Sequence, residues 1–180
     1  FGGSDAENLD VLIATSDGGY LLAGDSYSGA TGEKTENSRG LSDFWVVKID
    51  LSGNKLWDKR YGSLKYDYLQ NALYVSGNGF LLSGNTESSS SNGDVTEPAK
   101  GGADFWLVRI AEDGTKLWDR RLGGLGYEWS AHSLLTTDGG FLLARNSHSG
   151  LSLDKSEPSR GMADIWAIKL DGNGNRNLYA

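Results

Sequence analysis

Cysteine is absent from this sequence, which removes disulfide frameworks, thiolate metal sites and thiol nucleophiles from consideration. Proline is scarce, with two in 180 residues, and the only histidines are His132 and His148. Basic residues are outnumbered: 17 Lys and Arg stand against 24 Asp and Glu, the net charge is −7, and no basic block occurs. Nucleic acid and anionic membrane surfaces both call for clustered Lys and Arg, so neither is expected as a partner. No apolar run exceeds five residues, so no membrane insertion is expected. The opening "FGGSDAENLD" has no charged or apolar leader region, which suggests a mature product or an excised piece. No stretch of ten residues sustains a helical apolar period either.

What the chain does have is glycine, 26 of them, six tryptophans, and a phrase written three times. "TSDGGYLLAG" (Thr15 to Gly24), "VSGNGFLLSG" (Val75 to Gly84) and "TTDGGFLLAR" (Thr136 to Arg145) each place an aromatic and two leucines after a glycine-containing turn. Trp45, Trp106 and Trp166 follow in "DFWVVKI", "DFWLVRI" and "DIWAIKL", 61 and 60 residues apart. Trp57 and Trp118 lie twelve residues beyond the first two, and Leu178 takes the third place. Residues 1–180 thus form one repeat domain, with copies at about 1–60, 61–121 and 122–180.

Each copy reads as four short strands. In the first copy these are roughly Leu9–Thr15, the "YLLAG" segment, "DFWVVKID" and "KLWDKRYG", separated by a Ser-Asp-Gly-Gly turn, a long loop and a Leu-Ser-Gly-Asn turn. The third strand is apolar on both faces, as a strand covered on both sides would be, and the fourth carries charge. The pattern predicts an all-β fold, specifically a β-propeller of four-stranded antiparallel blades whose faces must stack on one another. A β-trefoil, which also has three four-stranded repeats, is the structural alternative.

The segment "DFWVVKIDLSGNKLWDKRYG", followed by "DYLQNALYVSGNGFLLSGNTES", resembles the SBBP-type and delta-60-type β-propeller repeats of secreted and surface proteins of bacteria, notably Bacteroidetes. The marks are D-x-W-x-x-K, the Gly-Asn turn with its following Trp, and D-G-G-aromatic-L-L, and the resemblance covers all three copies. Leu178 in place of the second Trp, and Ala6 where Tyr66 and Tyr127 stand, depart from the pattern. The resemblance implies a propeller fold and a secreted or cell-surface location. It implies no particular activity.

Propellers close with about four to eight blades. Three blades would leave two apolar faces open, so either two chains pair head to tail as a six-bladed homodimer or the copies belong to a longer chain.

Function is expected where loops gather on a rigid scaffold. The long loops carry a recurring polar set: Glu36, Arg39 and Asp43; Glu97, Lys100 and Asp104; Glu157, Arg160 and Asp164. These could form a polar pocket for an anion, a sugar or calcium, or brace the loops; calcium is compatible with them, but the D-x-[DN]-x-[DN]-G loop is missing. The links between copies place Glu7, Asp67 and Glu128 at one position, with Tyr66 and Tyr127 before the last two and Tyr68 and Trp129 after. Rings beside a carboxylate are a way to hold a sugar; the competing reading wedges the rings between blades and has the carboxylate cap backbone N–H groups. No catalytic residues and no cofactor are expected. The histidines have no counterparts in the other copies, hydrolase and nucleotide motifs are missing, and the carboxylates recur by copy instead of forming one acid–base pair. A non-catalytic extracellular module that binds protein is therefore the expected function. A glycan-binding lectin comes second and a glycoside-active enzyme third.

Overall fold

The thrice-written phrase is a hairpin, and its turn residues close it. Thr15 N–H donates to Gly19 O and Gly18 N–H to Thr15 O, both at 3.0 Å, while the Asp17 carboxylate accepts Gly19 N–H at 3.0 Å. Gly18 sits at φ 84°, where a side chain would be strained. The lysine of D-x-W-x-x-K then pins the turn from the neighbouring strand: Lys48 Nζ lies 2.9 Å from Asp17, and Lys169 lies 2.8 Å from Asp138. The second copy has Gly77 in place of that aspartate, and Arg109 instead donates to the carbonyls of Asn78, Phe80 and Ile110.

The computed structural model describes residues 1–129 and 132–176. Strands are β1 (Glu7–Ala14), β2 (Tyr20–Ser26), β3 (Asp43–Ile49), β4 (Lys55–Tyr61), β5 (Asp67–Tyr74), β6 (Phe80–Thr86), β7 (Asp104–Ile110), β8 (Lys116–Leu122), β9 (His132–Leu135), β10 (Phe141–Ser147) and β11 (Asp164–Leu170). They form three antiparallel sheets: β1-β2-β3-β4, β5-β6-β7-β8 and β9-β10-β11. Among the described residues there is no helix, so the fold is all-β. The sheets do not close on themselves. The first strand begins two residues earlier than the sequence pattern indicated, and the second runs on to Ser26, because Glu7 pairs with Ser26 and Asn8 with Asp25 across the hairpin. Leu178 and the segment that would extend β11's sheet fall at 177–180, outside the described residues.

The sheets stack face on face. Between the first and second lies a core of Leu21, Phe44, Val46, Leu69, Phe80 and Trp106, among others. Between the second and third lies another, built around Leu81, Phe105, Phe141, Trp166 and Ile168. One contact repeats at both junctions: Phe44 meets Trp106 at a centroid distance of 4.8 Å, and Phe105 meets Trp166 at 5.8 Å. Burying side chains of this size contributes roughly 1.5–3 kcal/mol each. This explains the doubly apolar third strand, since its odd and even residues serve different junctions. In β7 every residue is buried, whereas in β11 burial alternates, because among the described residues no further sheet packs on the outer face of the third.

The tryptophans also organise the fourth strands. Trp45 Nε1 donates to Asp58 and Trp106 Nε1 to Asp119, each at 3.1 Å. The same carboxylates take the backbone N–H and the hydroxyl of Thr35 and Thr96, which anchors the long loops to the sheet edge. Trp57 and Trp118 are partly buried and pack against the two cores.

Candidate functional site

The links between sheets and the long loops gather at one end of the stack. Backbone pairing brings them together: Asp67 N–H donates to Ser42 O and Glu128 N–H to Ala103 O, both at 2.9 Å. The start of each new sheet is thereby clamped to the third strand of the one before.

Glu7, Asp67 and Glu128 occupy equivalent places here, and all three are used internally. Glu7 accepts from Gly3 N–H at 3.0 Å, Ser26 Oγ at 3.1 Å and Ser28 Oγ. Burial works against its charge, but the bonds from Ser28, Gly3 and Ser26 outweigh it and hold the carboxyl below its ordinary range. Glu128 accepts from Ser147 Oγ at 2.8 Å, from Ser149 Oγ, and from Gly124 N–H at 3.1 Å. Asp67 accepts from Ser63 N–H at 2.6 Å and Ser63 Oγ at 2.8 Å. Thr86 also hydrogen-bonds this carboxyl, and the nearby charge of Asp43 works against its ionisation. Burial prevails over the hydrogen bonds, and the Asp67 carboxyl is pushed up to about 7.

The rings flanking these carboxylates behave differently. Tyr66 and Tyr68 stack at 5.6 Å with an interplanar angle of 7°, and both are half-buried. Tyr68 shares a hydrogen bond with Tyr27, and burial together with that bond raises its hydroxyl. Tyr127 and Trp129 stack at 5.9 Å and 3°, and they remain 53% and 41% exposed. Gly102 permits this placement, because a side chain there would run into the Tyr127 ring. The arrangement offers flat apolar surface to a ligand. The buried carboxylates between the rings point into the fold and stabilise it.

The polar sets of the long loops are largely taken up by bonds within the fold. The first two glutamates turn to the fourth strand: Glu36 accepts Arg60 N–H and Glu97 accepts Arg121 N–H. Each aspartate turns back on its own loop, where Asp43, Asp104 and Asp164 accept the N–H of Arg39, Lys100 and Arg160 at 2.7 to 2.9 Å. The cations reach forward to the next copy. Arg39 lies 3.6 Å from Asp94 and Lys100 lies 2.7 Å from Asp154. Glu157 and Arg160 are exposed, and with Asp164 they line a hollow beside Ile165 and Trp166. Among the described residues no group of three or more His, Cys, Asp or Glu side chains is placed to hold a metal ion. His132 and His148 are both exposed.

Sequence reasoning missed three working groups. Tyr27 has Glu87 and His148 at its counterparts, so no repeat flagged it. Asp58 and Asp119 were legible in the recurring Leu-Trp-Asp, thirteen residues after each first tryptophan. Arg121, fully buried against the equally buried Asp104, also donates to Ser88 O, where the first and third copies use Lys34 and Lys155 on Ser28 O and Ser149 O. The signal was Val95, standing where the other copies carry those lysines.

Compared with known proteins, the chain matches no family model and no curated relative.

Proposed function

We propose that the chain is a non-catalytic repeat module of the β-propeller kind, secreted or displayed at a bacterial cell surface, whose work is protein binding and assembly. One observation carries this reading: Leu9 and Leu12 on the first sheet and Ile165 on the third are exposed at positions that the middle sheet buries, while Trp45 and Val47 beside those leucines stay buried. Ile165 on the open face of β11 is 81% exposed, while its counterparts Phe44 and Phe105 are buried under tryptophans. Apolar sheet faces of this kind mark interaction surfaces. The propeller assignment is supported by the face-to-face stacking of antiparallel sheets and by the likeness to SBBP-type and delta-60-type repeats. The same likeness, with Ser/Gly/Asn-rich loops, supports the location.

If the copies are stacking modules, an added one should be accepted. A chain carrying residues 61–121 twice in tandem should fold and unfold at higher urea than the parent, since each repeat adds an interface. Failure to fold, or an unchanged or lower midpoint, would sink the module reading.

A second reading is favoured by the exposed parallel rings of Tyr127 and Trp129, a platform for the apolar face of a sugar. A glycan array probed with the parent and with Tyr127→Ala tests it: retention lost in the variant supports a lectin, and no retention by either rejects it. Turnover of chromogenic glycosides would overturn both readings in favour of an enzyme.

A further inference from the structure

We propose that the open faces of the first and third sheets dock on each other between two copies of this chain, head to tail, so that a pair of chains satisfies both contacts. The proposal rests on the module reading and names its partner. The two internal junctions show what such a contact contains, and the two free ends hold its separated halves.

The apolar half is the third-strand pair. Within the chain, Phe44 packs on Trp106 and Phe105 on Trp166. The next pair in the series is Ile165 with Trp45. Ile165 projects from the third sheet, and Trp45, itself only 7% exposed, forms the floor of a groove on the first with Phe1, Leu9 and Leu22 around it. The residues around Trp45 bear the marks of a face made to be covered. Leu9 is 61% exposed where its counterpart Leu69 is 1% exposed, and Leu12 is exposed where Ala72 is buried. At the second turn, Gly114 has Trp57 and Lys59 of the preceding sheet against it, and Gly174 has Trp118 and Arg120, whereas Gly53 has open space.

The polar half repeats as faithfully. At each internal junction a loop cation meets the carboxylate at the tip of the next loop, Arg39 with Asp94 and Lys100 with Asp154. That carboxylate position in the first copy is Glu33, and the cation in the third is Arg160. Both are exposed, and among the described residues neither forms an ion pair; Glu33 Oε2 accepts only Gly2 N–H, at 2.9 Å. The Gly2–Glu33 backbone pairing matches Gly62–Asp94 and Gly123–Asp154, so Glu33 is already held in the docking geometry. One free cation and one free anion, at opposite ends and equivalent positions, fit a second copy. A contact of this type joins different patches of the two chains, and a two-fold axis makes it close.

Light scattering after gel filtration should give a mass near twice 19.4 kDa. Ile165→Lys alters a side chain that is solvent-exposed in the single chain, so the fold should persist by near-ultraviolet circular dichroism while the dissociation constant rises about thirtyfold or more. Arg160→Glu and Glu33→Arg should each weaken the pair by about five- to tenfold, and mixing the two reversals in one chain should restore it. A folded chain that stays at the single-copy mass overturns the docking, as does an open ladder of heavier species or a pair indifferent to Ile165→Lys. None of these outcomes touches the module reading, which the tandem 61–121 chain decides separately.

Discussion

The second and third sheets are built from nearly the same phrase, yet one is a core and the other has a bare flank. "DFWLVRI" in β7 is buried from end to end, and "DIWAIKL" in β11 alternates between buried and exposed. Strand formation is therefore not what separates them. The difference lies in neighbours: the middle sheet has a partner on each face, and burial contributes free energy only where water is displaced. A repeat protein of this kind places its stability at its junctions.

The sharpest way to break the comparison is at the buried ion pair. Arg121 and Asp104 are fully buried, so Arg121→Met strands a carboxylate and should destabilise by about 3–5 kcal/mol in urea melts. The counterpart Arg60, paired with Asp94 nearer solvent at 3.0 Å, should cost no more than about 1 kcal/mol when changed to Met. Equal losses would mean that the two junctions are energetically alike.

Truncating the apolar pair gives a similar contrast. Phe105→Ala opens a cavity beside Trp166 and should cost about 3–5 kcal/mol. Ile165→Ala, measured in dilute solution, should stay within about 0.5 kcal/mol. A large effect of Ile165→Ala in the dissociated chain would show that its face is covered from within.

A smaller effect should appear on titration. Burial raises the Asp67 carboxyl to about 7, and burial likewise raises Asp25 to about 6. The unfolded chain releases these protons near pH 4, so the folded state holds protons that the unfolded state does not between there and about pH 7. Their contribution is complete below about pH 4 and is lost as pH rises through 6 to 7, by about 1–3 kcal/mol in all. Asp67→Asn keeps an acceptor for Ser63 N–H and puts a donor where the proton was. Its urea midpoint should fall less between pH 5 and pH 7.5 than that of the parent, and parallel curves would refute the assignment. The smallest effect is expected from Tyr127→Ala, within about 0.5 kcal/mol of the parent in urea, because the ring is more exposed than buried.

Much of the fold was legible because its signals are local. Turn glycines with their aspartates, the alternation of the strands and the spacing of Trp45, Trp106 and Trp166 depend on neighbours along the chain. The candidate site was half legible. The carboxylates Glu7, Asp67 and Glu128 and their flanking rings stood out by position, but the sequence did not show that serines would saturate Glu7 and Glu128. Nor did the spacing of Glu36 and Arg39 show that they part company, one to β4 and the other to the next loop. Those partners lie about twenty residues or more away along the chain, and that of Arg39 lies in the next repeat.

By itself, then, the sequence determined that three like units of antiparallel strands would form and where each would turn, since backbone geometry and side-chain period decide this within a few residues. Only the tertiary structure decided which copy of a repeated residue does what. Phe105 is core and Ile165 is surface; Glu7 is held ionised and Asp67 is pushed toward its neutral form. Desolvation and packing act through space, and equivalent positions in a stack that does not close have different space around them.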